Sequence, residues 1–155
     1  MTRRHPPQHP GTKRPGYTLV MFALLTPPLL GMVGLIIDGG LMLVTYRQTQ
    51  NAADAAALAA AVDLIHGNSI AIASTTGTTY VQTYNNMTGA NVTITVPDSG
   101  PHSGDSHYAQ AKVSYPFQTS FIQMLPGVNS SPQVKARAVA GYENVAGKNL
   151  VFLVE

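Results

Sequence analysis

From Tyr17 to Ile37 the chain carries no charged side chain, and the runs Leu19 to Leu25 and Leu29 to Ile37 make the stretch strongly apolar. A bilayer hydrocarbon core takes roughly 20 such residues in a helix, so this segment has the length and composition of a transmembrane span. Without water to bond to, the backbone of a lone span must be helical. On the amino side stand Arg3, Arg4, Lys13 and Arg14 with no acidic partner, and on the carboxyl side stands Asp38. By the positive-inside rule this asymmetry puts the amino end in the cytoplasm and the rest of the chain beyond the membrane. A cleaved secretory signal has an apolar core of only about 7–15 residues and ends at a small-residue cleavage site. Here the run is longer, continues past Asp38 through Leu41 to Val44, and meets no small-x-small boundary before Arg47, which favours an uncleaved anchor.

The rest of the composition agrees. Only 10% of the residues are charged, against about 25% in an ordinary soluble domain, so water is not this chain's only solvent. Beyond the basic tail, Lys112, Lys135 and Arg137 are scattered and form no basic stripe of the kind nucleic acid requires. Cysteine is absent, which excludes disulfides, thiolate zinc sites and cysteine nucleophiles.

Three segments follow. Residues 1–15, with four prolines and two histidines, have no apolar periodicity to offset the entropy of ordering and read as a flexible cytoplasmic tail. Residues 16–46 form the anchor. Pro27 and Pro28 fall inside it and remove two backbone donors, so a kink or a brief unwinding is expected there; it is either a tolerated bend in a lone anchor or a device for packing among similar helices. Residues 47–155 form an extracytoplasmic α+β domain.

Within that domain, Arg47 to His66 is alanine-rich and reads as helix, with Leu58, Val62 and Ile65 on one face. His66-Gly67-Asn68 supplies a stop. A second helix is expected from about Ile70 to Asn85. The period then changes: Val92, Ile94 and Val96 alternate with threonines, and Ala109, Ala111, Val113 and Tyr115 alternate with Gln110, Lys112 and Ser114. These are two half-buried strands, joined by the turn-rich loop Asp98 to Asp105 into an antiparallel pair. Phe117, Phe121, Met124 and Leu125 return to helical spacing, and Val134, Ala136 and Ala138 mark a third strand. The run Leu150 to Val154 either joins the sheet as its last member or belongs to a longer protein. A transmembrane helix continuing into an alanine-rich helix, then a small antiparallel sheet packed on it, is the economical architecture.

Chemistry is hard to find in these residues. No Walker loop, Gly-x-Gly-x-x-Gly or Gly-x-Ser-x-Gly pattern occurs, so neither catalysis, nor a nucleotide, nor another small-molecule substrate is expected. His102, Asp105 and His107 have the ligand types of a zinc site, but their spacing matches no standard motif and the loop reads as exposed; no metal or other cofactor is expected. Asp38 reads as the residue that marks the outer end of the span. Asp54 is either solvated or paired with a neighbouring subunit.

Finally, the stretch Gly16 to Ala61 resembles the amino-terminal segment of TadE/TadG-like proteins of the Tad (Flp, tight adherence) pilus-assembly family. The matching residues are Tyr17 to Leu25, Pro28 to Gly31, Gly34 to Gly40 and above all the run Gln50 to Ala61. The order of span, Asp38-Gly39, then Gln50-Asn51-Ala52-Ala53-Asp54-Ala55-Ala56 is the specific part. The resemblance implies a pilin-like fold and a structural role as a minor pseudopilin or assembly component in the bacterial inner membrane. Its partners would be lipid and other pilus subunits. Prepilins are cut after a glycine and carry a glutamate at the fifth mature position; here Gly16 is followed there by Met21, so Tyr17 is not expected to become a new amino terminus. The alternative from the residues alone is a membrane-tethered extracytoplasmic binding module.

Overall fold

One helix, α1 (Tyr17–Ile65), runs for 49 residues, roughly 70 Å at 1.5 Å per residue. The computed structural model describes residues 16–124, 127, 131–145 and 147–154. The helix passes through Pro27 and Pro28 without unwinding, so that part of the expectation is not met. The carbonyl of Phe22, just ahead of the prolines, accepts from the Thr26 hydroxyl at 2.7 Å, a polar contact made within the helix itself. No break separates the anchor from the alanine-rich stretch; the helix carries on through Tyr46 and Arg47. It stops where expected: Gly67 adopts φ 76°, and Asn68 both donates its amide to the Asp63 carbonyl and reaches the Asp63 carboxylate with its side chain at 2.9 Å.

The second helix, α2 (Ile70–Thr79), starts at Ser69, whose hydroxyl accepts from the Ile72 amide, and runs into one π-helical turn, Tyr80–Tyr84. Four strands follow, β1 (Asn91–Thr95), β2 (Tyr108–Pro116), β3 (Gln133–Val145) and β4 (Lys148–Val154). They form an antiparallel meander in the order β1-β2-β3-β4. The third strand is longer than its alternation announced, and the run Leu150 to Val154 is the sheet's last strand, with Val151 opposite Tyr142 and Leu153 opposite Ala140.

The helical spacing of Phe117, Phe121 and Met124 does not produce a helix. Among the described residues of this segment one 3-10 turn forms, Ile122–Met124, because Phe117 finishes the β2 excursion by bonding its amide to Pro132 and the segment is drawn against α1. Leu125 lies outside the described residues.

The core is made of alanine. Ala52, Ala53, Ala56, Ala57, Ala60 and Ala61 of α1 are fully buried against Ala109, Ala111, Ala136, Ala138 and Ala140 of the sheet. This corrects the helix face read from periodicity: Leu58 and Ile65 are only half-buried and Val62 is 41% exposed. Small side chains on both surfaces let the helix backbone approach the sheet closely, where leucines would hold it off. Val81, Met87, Ile94, Val113 and Val134 fill the margins. The closest approach is at Gly77 of α2, where a Cβ would lie 2.1 Å from Ile94 Cδ1 and 3.2 Å from the Ala56 carbonyl oxygen.

Candidate functional site

Between Tyr17 and Gln48 the helix projects from this core with its large apolar side chains exposed. Its most apolar 18-residue stretch has a mean hydropathy of 2.2 and is only 6% buried. It is therefore not the core helix of this domain, and it is long and apolar enough to cross a membrane. Two residues in that projecting half are buried, Gly34 and Asp38. Both are covered by the same segment.

Asp38 is 1% exposed. Its carboxylate accepts three main-chain bonds, from Ser120 to Oδ1 at 2.9 Å and from Phe121 and Ile122 to Oδ2 at 2.9 and 2.8 Å. A charge withdrawn from water is costly unless its lone pairs are met by good donors, and three consecutive amides at the mouth of a 3-10 turn supply them. One helical turn earlier, Gly34 provides the space: a Cβ there would fall 2.8 Å from Cβ and Cγ of Phe121. The residue read as a marker of the span's outer end is thus also a clamp that ties the sheet domain to the helix.

The second group of motif residues lies under the sheet. Gln50, half-buried, donates to Asp54 Oδ1 at 2.8 Å and to the Arg137 carbonyl at 3.2 Å, bridging α1 to β3. Asp54 is accordingly not simply solvated; it is half-buried and accepts from the glutamine one turn back. Ala52, Ala53 and Ala56 are core, Ala55 is half-buried, and Asn51 and Gly39 face outward. The candidate residues do not converge on one spot. They divide between the clamp at Asp38 and the alanine face beginning at Gln50.

The histidine loop is folded over the sheet's outer face. Asp105 accepts from the His107 amide at 2.9 Å and lies 2.8 Å from its Nδ1, and these bonds hold its carboxyl below the usual range. His102 instead stacks on Tyr108 with ring centroids 3.8 Å apart. Among the described residues no group of three or more such side chains could hold a metal ion. Gln110, expected on the solvent side of its strand, is fully buried beneath this loop and accepts from the Asp98 amide at 3.0 Å. Asp98 also pairs with Lys112, and Arg137 donates to the Ser99 carbonyl at 3.0 Å. An open groove of about 540 Å³ is lined in part by Tyr46, Gln50, Thr93, Lys112, Lys135 and Arg137.

Residues 16–63 match the model of the family described as "Putative Flp pilus-assembly TadE/G-like". This stretch is similar to TadE/G-like proteins. The match spans the projecting half of α1, the Asp38 clamp and most of the alanine face, and ends before the sheet begins. The family's description names pilus assembly. No curated protein and no solved structure matches the chain.

The clamp partners were not legible in the sequence. Ser120, Phe121 and Ile122 contribute backbone amides, which every residue but proline has, so no residue pattern announces them. A weak signal existed in Gly34, a glycine in a span one turn before a lone aspartate.

Proposed function

We propose that this chain is a minor pseudopilin or assembly component of a Tad/Flp-type pilus, acting through helix packing and subunit contacts and not as a catalyst. The observation that carries the reading is the TadE/G-like match over residues 16–63, falling on a single helix whose first half is apolar and uncovered and whose second half is built into a domain. Such a helix gives lipid or neighbouring helices a long apolar surface while the domain stays rigidly attached to it. On this reading the motif residues have structural roles. Asp38 anchors the domain to the helix, Gly39 and Asn51 face outward, Gln50 and Asp54 brace α1 on β3, and Ala52, Ala53, Ala55 and Ala56 set the close helix-to-sheet spacing.

The same reading assigns residues 1–15 to the cytoplasm, 16–46 to the inner membrane and 47–155 to its outer side, on the strength of the basic tail and the uncharged stretch. Mild crosslinking in cells that make the protein, followed by its purification, is the direct test. Recovery of pilus-assembly subunits is expected; recovery of none, or of transporter components alone, would sink the proposal. Mass spectrometry of the membrane-extracted chain should find no form that begins at Tyr17, since Met21 stands where a processed prepilin has glutamate.

A further inference from the structure

Phe121 belongs to the extracytoplasmic domain by sequence, yet it packs on the membrane helix inside the uncharged stretch. Gly34, on which it rests, is four residues before Asp38, roughly 6 Å deeper along the axis at 1.5 Å per residue. Phe121 is 42% exposed, and Val33, Leu35 and Ile37, which flank Gly34 in the sequence of α1, are themselves exposed apolar residues of the span. We propose that Phe121 is a second membrane anchor: its ring enters the outer leaflet beside α1, so that the domain is held to the bilayer surface at two points. The inference rests on reading α1 as a membrane span.

Three observations make the segment fit a lipid interface. First, there is no charged residue between Lys112 and Lys135, so nothing near Phe121 in sequence opposes partial burial in lipid. Secondly, irregular backbone at membrane depth is tolerated only when its polar groups are satisfied by protein, and the amides of Ser120, Phe121 and Ile122 are all taken by Asp38. The carboxylate therefore solves two problems together, its own charge and the orphan donors of a non-helical segment lying against a span. Thirdly, the neighbours Gln118, Ser120 and Gln123 are exposed and polar, which sets one apolar ring among groups suited to lipid headgroups, the arrangement in which aromatic side chains collect at membrane interfaces. The consequence is geometric. A single helix leaves a domain free to swivel and tilt, whereas a second contact point fixes which face of the sheet looks along the membrane.

The chain has no cysteine, so single introduced cysteines can each carry a nitroxide label in the full-length protein, reconstituted in phosphatidylethanolamine and phosphatidylglycerol bilayers. Accessibility to oxygen, which concentrates in lipid, is compared with accessibility to a water-soluble nickel chelate. Phe121→Cys should give an oxygen-to-nickel ratio near that of Leu30→Cys in the span and several-fold above that of Thr93→Cys on the sheet. A label at Gln118→Cys, which leaves Phe121 in place, should fall between those two controls. The proposal is overturned if both labels on the segment match Thr93→Cys, or if position 121 is shielded from both reagents, as it would be beneath another protein subunit. If Leu30→Cys itself is open to nickel, the span reading has failed and the second anchor falls with it. That outcome is distinguishable from a failure confined to position 121.

Discussion

The main-chain amide of Phe121 donates to the carboxylate of Asp38 at 2.9 Å, across 83 positions of sequence. Ser120 and Ile122 donate to the same side chain, so one aspartate orders a non-helical segment against a helix. Hydrogen bonds to a charged group are worth about 1.5–3 kcal/mol each, but removing the charge also removes its burial cost. For Asp38→Ala a net loosening of the segment by about 2–3 kcal/mol is expected. Asp38→Asn should behave similarly, since it keeps one acceptor oxygen and turns an NH2 group toward amides that need an acceptor. Amide hydrogen exchange at residues 120–122 reads this directly. Protection should drop by roughly 100-fold, since 1.4 kcal/mol is a factor of ten, and unchanged protection would show that other contacts hold the segment.

Gly77 packs directly against Ile94, with no room for a side chain of its own. Replacing it by alanine would gain up to about 1 kcal/mol of helix propensity, but the new methyl would lie 2.1 Å from Ile94 Cδ1 and 3.2 Å from the Ala56 carbonyl. Ile94 is 5% exposed and has little room to swing aside, so overpacking of about 1–3 kcal/mol should win. Gly77→Ala is expected to lower the denaturation midpoint. Ile94→Val removes the offending Cδ1, and in that background Gly77→Ala should become neutral or stabilising. Additive effects in the double-mutant cycle would mean that the clash is relieved elsewhere.

How far the sequence reaches can be judged residue by residue. The span, the alanine-rich continuation, the stop at Gly67 and the strand pairing were legible because each depends on local composition or period. The helix face was not. Periodicity singles out Leu58, Val62 and Ile65 because they are large, while the buried face consists of alanines, which a hydrophobic pattern scarcely distinguishes from filler. Gln110 misled for a related reason: strand alternation places it outward, and only the fold-back of the Asp98 loop covers it. At the candidate site, Asp38 was visible as an isolated charge at the end of a span, but its partners are main-chain amides and its burial arises from long-range packing.

The alanine face makes a prediction opposite to that of the periodicity. Ala57→Leu adds three carbons at a fully buried position in the core, and should cost about 1–3 kcal/mol through overpacking. Val62→Ala, at a side chain 41% exposed, should stay within about 0.5 kcal/mol of the parent. Chemical denaturation of the two variants in the same detergent or lipid settles the order. If Val62→Ala were the more damaging, the helix would be rotated from the orientation described.

The Lys112 side chain bonded to Asp98, with a further bond from the Ser99 hydroxyl, lowers the Asp98 carboxyl to a pKa of about 2, whereas an unfolded aspartate titrates near 3.9. Because the folded value is the lower one, the unfolded state binds the proton first as pH falls. The contribution of this pair is therefore fully present above about pH 4 and is lost as pH drops through about 2. Both partners are about half exposed, at 47% and 55%, so solvent screening keeps the effect small. The signature lies in the slope and not the size: Asp98→Asn should leave the melting temperature nearly unchanged at pH 7 relative to Lys112→Met and should flatten its fall between pH 4 and pH 2. Asp98 also receives its own amide's tie to Gln110 at 3.0 Å through the backbone, which the substitution leaves intact, so the loop should remain folded over the sheet. A parent and an Asp98→Asn variant with the same acid slope would place the proton-linked stability on other carboxylates.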